Sequence, residues 1–79
     1  MRADVRVNLR NVIKDKGYKQ SVIAKKANLS PVKFSQILNL ERKLEANELY
    51  DVCFALDMTP MELKEYTSVE KDGKDMVEV

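Results

Sequence analysis

The stretch KQSVIAKKANLSPVKFSQIL, residues 19–38, holds two short apolar rows separated by a sharp break. The first row fits a helix over residues 20–27, with Val22, Ile23 and Ala27 as its inner face and Ala24 small enough to let a second helix approach. Asn28 follows, a residue that tolerates the left-handed backbone a tight interhelical turn requires. Leu29 is then placed to plug the angle. Ser30-Pro31 is a strong start signal, because serine caps orphan amides and proline suits the first helical position. A helix from residue 31 to residue 38 or 39 turns Phe34, Ile37 and Leu38 inward. Pro31, Val32, Lys33 and Gln36 fall on its other side. The pattern is a helix-turn-helix: one short helix braces a second whose outer face is left free.

Outward from this pair, the flanking segments also read as helices. Asp4 is a helix cap for residues 5–16, where Val5, Leu9, Val12 and Ile13 form an apolar stripe and Gly17 supplies the stop. Tyr18 is expected to pack back on the core. A loop over residues 40–45 carries Arg42 and Lys43. Residues 46–56 form a fourth helix with Leu49, Val52, Cys53 and Leu56 inward. Thr59-Pro60-Met61-Glu62 is a capping box with proline at the first position, opening a fifth helix that ends near Tyr66. Residues 1–66 thus form one domain, and residues 67–79 read as an acidic, flexible tail. Met76 to Val79 alternates apolar and polar, a weak strand pattern. No other segment asks for a strand, so the fold class is all-α.

Seventy-nine residues suffice for one small core, and 44% apolar content suits a globular chain rather than a disordered one. The net charge of +1 conceals a division. Residues 1–43 hold eleven Lys/Arg and three acids, hence +8; residues 44–79 hold three Lys and ten acids, hence −7. A basic half points to a polyanion partner. A single cysteine, Cys53, excludes an internal disulfide, and with no histidine there is no metal-ligand set. The expected compartment is reducing and cytoplasmic. The charged N-terminal residues carry no apolar signal-peptide run, and the longest apolar run, residues 52–56, is far short of a membrane span. With no glycine-rich phosphate loop and no nucleophile–base pair, an enzyme is not expected, nor is a cofactor or small-molecule substrate.

Residues 19–38 resemble the helix-turn-helix of the phage-repressor family, the Cro/C1-type or XRE-type regulators. LRNVIKDKGYKQ resembles the family's first helix and its approach to the second. NLERKLEANELYDVCFALDMTPMEL resembles its loop, fourth helix and fifth helix. The resemblance covers about residues 5–65. It implies a compact five-helix bundle of the lambda-repressor-like type and a transcriptional regulator, most often a repressor, that binds double-stranded DNA as a homodimer. It further implies that Val32, Lys33 and Gln36 contact base edges. Glutamine can bond adenine, lysine can donate to guanine acceptors and valine can touch a thymine methyl. Gln20, assisted by Lys19, would hold a DNA phosphate. Ser30 and Ser35 would bond phosphate or base, and Asn39, Arg42 and Lys43 would grip the backbone.

Three positions depart from the family pattern. The usual turn glycine is Asn28. The glycine that often follows the recognition helix is Leu40, so the loop is expected to differ there. An arginine on the first helix that pairs with a glutamate near the end of the third is replaced by Ile13 and Leu38, an apolar pair with no charge to desolvate. Pro31 and Val32 offer no hydrogen bonds to the groove, which leaves part of the specificity to DNA shape. Tyr50, Phe54, Met58, Met61 and Tyr66 are candidates for a dimer contact. A second possibility is an interaction module of the same fold, such as an antitoxin or anti-repressor partner, using the acidic half.

Overall fold

The computed structural model describes residues 4–67, so the expected tail beyond Thr67, including its strand pattern, lies outside the described residues. Five helices follow in order: α1, Val5–Lys16; α2, Gln20–Lys26; α3, Pro31–Leu38; α4, Ala46–Leu56; and α5, Pro60–Lys64. No strand occurs among the described residues.

Local chemistry sets most of the helix ends. The Asp4 side chain accepts from the Arg6 amide, and Gly17 ends α1 in the left-handed conformation, φ 71°. Ser30 caps α3 ahead of Pro31, its side chain accepting from the Lys33 amide at 3.1 Å. Thr59 and Glu62 complete the expected reciprocal box at α5, with the Thr59 amide donating to Glu62 at 2.8 Å and the Glu62 amide to Thr59 at 3.1 Å. Asn28 takes φ 64° between α2 and α3, and the Leu29 amide donates back to the Ala24 carbonyl.

One core joins all five helices. Leu9, Val12 and Ile13 of α1 meet Ile23 and Ala24 of α2, Phe34, Ile37 and Leu38 of α3, Val52, Cys53 and Leu56 of α4 and Leu63 of α5. Leu29 and Leu49 pack partly buried against it. Ile13 and Leu38 both lie inside this cluster, as an apolar replacement of an ion pair requires. Ala24 and Ala27 are almost wholly buried and let α2 lie close to its neighbours.

Val22 is a correction: it is 44% exposed rather than on the inner face of α2. Residues step about 100° around a helix, so a face centred on Ile23, Ala24 and Ala27 puts Val22 on the far side. Tyr18 is likewise exposed, not packed into the core.

Two side chains with no local signature, Asn8 and Tyr66, tie α1 to the end of α5. Asn8 is buried on α1, and its amide donates to the carbonyls of Leu63 at 3.0 Å and Lys64 at 2.9 Å. Those carbonyls lie at the end of α5, where the regular intrahelical donors run out, and the Leu63 carbonyl also accepts from the Tyr66 amide at 3.2 Å. The Tyr66 hydroxyl donates to Asp15 on α1 at 2.8 Å, so Tyr66 is a bridge within the domain.

Candidate nucleic-acid interface

The functional candidates gather around α3 because its two faces are occupied differently. Phe34 and Ile37 are fully buried and Leu38 nearly so. Val32, Ser35, Gln36 and Asn39 recur at i, i+3, i+4 and i+7, a spacing that forms one stripe. Val32 is 68% exposed, Pro31 and Asn39 are exposed, and Ser35 and Gln36 are half-buried. The Asn39 side-chain amide reaches Ser35 Oγ at 3.5 Å, a long contact along this stripe. Lys19, Gln20 and Ser30 are exposed at the starts of α2 and α3.

After α3 the chain turns through Leu40, which is also left-handed at φ 64°. The Leu40 amide donates to the Ile37 carbonyl at 3.1 Å and the Glu41 amide to the Gln36 carbonyl at 2.8 Å. The loop therefore keeps a corner suited to glycine, with a leucine carrying it. Arg42 and Lys43 follow, both exposed. The Arg42 carbonyl accepts from the Arg6 guanidinium at 3.1 Å, and Arg6 is itself paired with Asp4 at 2.8 Å. This chain of contacts holds the loop against the start of α1. It also holds the Asp4 carboxyl below its ordinary range, chiefly through its hydrogen bond with the Arg6 side chain.

Lys33 is placed differently from its neighbours. It is half-buried, and its ammonium pairs with Glu48 of α4. The other Glu48 oxygen accepts from the Glu45 amide at 3.0 Å and closes the first turn of α4. Lys33 and then the Glu45 amide hold the Glu48 carboxyl below its ordinary range, with a smaller contribution from the charge of Arg42. Glu48 is a residue that sequence reasoning missed. A Glu-x-x-Glu run lacks the Ser/Thr of a standard capping box, and its link to Lys33 depends on how α3 and α4 pack.

Away from α3, α4 and α5 present Tyr50, Phe54 and Met61 to solvent, Phe54 at 84% exposure. Phe54 and the half-buried Met58 line an open depression with Lys26, Cys53 and Asp57. The Cys53 side chain is buried, which pushes its thiol above the ordinary range. No group of three potential metal ligands occurs among the described residues. No helix among them is long and apolar enough to cross a membrane.

A family model for the Cro/C1-type helix-turn-helix DNA-binding domain matches residues 8–68. Among solved structures, the chain is similar to the DNA-binding domain of the P22 C2 repressor, residues 1–76, determined by nuclear magnetic resonance in solution. The TM-score is 0.74 at 23% sequence identity, over 82% of this chain and 87% of that one. At that identity the likeness speaks for the fold, which is the lambda-repressor-like five-helix arrangement. No curated protein matches the sequence.

Proposed function

The chain belongs to the Cro/C1-type helix-turn-helix DNA-binding domain family, and on that premise we propose that it is a sequence-specific transcriptional repressor that reads the major groove with α3 as a homodimer. The observation that supports this most is the division of α3 into a buried apolar back and an outward stripe with Val32 and Gln36 on it. A helix braced in this way fits a groove about 12 Å wide.

Val32, Lys33 and Gln36 are the base-contacting residues in this reading. Gln36 bonds an adenine edge, Val32 touches a thymine methyl and Lys33 donates to guanine. Lys19, Gln20, Ser30, Ser35, Asn39, Arg42 and Lys43 position the domain on phosphates, which fixes register without reading sequence. Pro31 contributes no hydrogen bond, so groove shape carries part of the preference. The exposed Tyr50, Phe54 and Met61 on α4 and α5 supply the dimer contact, which lets two modules engage half-sites about one helical turn apart. A cytoplasmic location fits a free cysteine and a DNA partner.

Titration onto a labelled duplex over a salt series tests the reading. Binding is expected to weaken linearly on a log–log plot, with a slope near −0.9 per phosphate contacted. A chain indifferent to every duplex in dilute buffer would favour a protein-interaction role for the same fold.

A further inference from the structure

Glu48 of α4 reaches Lys33, one of the residues proposed to face DNA, and its two oxygens have separate partners. One accepts from the Glu45 amide at 3.0 Å and caps α4. The other meets the Lys33 ammonium. The Glu48 side chain is only 13% exposed, against 34% for Lys33. The carboxylate is thus held in place, and the lysine is the partner free to leave. The charge of Arg42 also acts weakly on Glu48 and lowers its carboxyl a little further.

We propose that Glu48 is a specificity-determining residue that withholds Lys33 from DNA until a correctly placed acceptor displaces the carboxylate. This rests on the DNA-binding reading above. On a duplex of the wrong sequence, Lys33 stays on Glu48 and contributes nothing to phosphate attraction. In the matching register, guanine acceptors in the groove replace the carboxylate, and the exchange offsets the lost ion pair. Glu48 therefore weakens sequence-independent binding more than operator binding, and the ratio between them rises. Discrimination of this kind comes from lowering the wrong affinity as well as raising the right one.

Glu48→Gln tests this without removing the cap, because a glutamine oxygen still accepts from the Glu45 amide. A thermal melt checks that the fold is kept. Affinities are measured for a duplex selected by the wild-type protein and for a scrambled duplex, each across a salt series. Glu48→Gln is expected to bind the scrambled duplex about fivefold more tightly at 0.1 M salt, with a slope more negative by about 0.9, the scale of one added phosphate contact. The selected duplex should gain less. In Lys33→Met/Glu48→Gln both charges are gone, and scrambled-duplex affinity and slope should return to the wild-type values. The proposal is overturned if Glu48→Gln leaves the scrambled duplex unaffected. It is also overturned if the double variant keeps the full gain, or loses a contact's worth of slope relative to wild type. A wild-type chain that binds no duplex at all would instead remove the DNA-binding reading, and this inference with it. Steep wild-type salt dependence leaves the Glu48 variants to decide the inference alone.

Discussion

The two faces of α3 differ in what fixes their residues. On the back, Phe34, Ile37 and Leu38 belong to the single buried core that residues of all five helices build, and any change in volume or charge there is felt by that core. On the front, Val32 is largely in solvent and Gln36 is half-buried, so the fold places little constraint on their chemistry. In the proposed reading the back decides whether the helix is presented, and the front decides what it reads. Lys33 lies between these regimes, since its ammonium is tied to the protein yet one-third of its side chain remains accessible.

Substitutions on the back should break the molecule before they alter recognition. Leu38→Glu buries a carboxylate with no partner and is expected to lower stability by roughly 3–5 kcal/mol, the scale of an unpaired buried charge. For a domain this small, that approaches its whole stability. A thermal melt unchanged from wild type would show that Leu38 is not enclosed. Asn8→Ala tests a brace far from α3 and should cost about 1–3 kcal/mol, because the Lys64 carbonyl loses its side-chain donor and the Leu63 carbonyl keeps only the Tyr66 amide.

On the front the signs separate. Gln36→Ala should leave the melting temperature nearly unchanged and reduce discrimination at one base pair by about 1–3 kcal/mol. A fall in stability equal to that in Leu38→Glu would erase the distinction between the faces. At the corner after α3, Leu40→Gly relieves a left-handed leucine worth about 1–2 kcal/mol. It also loosens the unfolded chain by about 0.4–1 kcal/mol, leaving a net gain of roughly 0–1.6 kcal/mol in denaturant titration.

The smallest expected effect is in acid. The folded-state pKa values of Glu48 and Asp4 are depressed, so their contribution is present above the unfolded carboxylate range. It fades as pH falls through the folded values. Melting temperatures should therefore drop on acidification, and less so in Glu48→Gln. An equal drop in both proteins would remove Glu48 from the account.

What was legible in the sequence follows the reach of each interaction. Asp4, Gly17, Ser30-Pro31 and Thr59-Pro60-Met61-Glu62 act over a few residues, and each marks a helix end where expected. The core of α3 was legible because only one phase buries Phe34, Ile37 and Leu38 together. Val22 was not, since Val22-Ile23-Ala24 is a continuous apolar run whose phase only packing resolves. Asn8 bonds carbonyls 55 and 56 positions away, and Glu48 meets a lysine across a loop. Neither leaves a local trace. The candidate interface was legible as a list of outward residues, and the ion pair that engages one of them was not.

The claim that α3 reads sequence through its outer face is tested most directly by selecting binding sites from random duplexes at fixed salt, with wild-type protein and with Gln36→Ala in parallel. Wild type should enrich a two-fold symmetric site, and the variant should relax preference at one position in each half while keeping the rest. Enrichment of the same site by both proteins, or of no site by wild type, would contradict it.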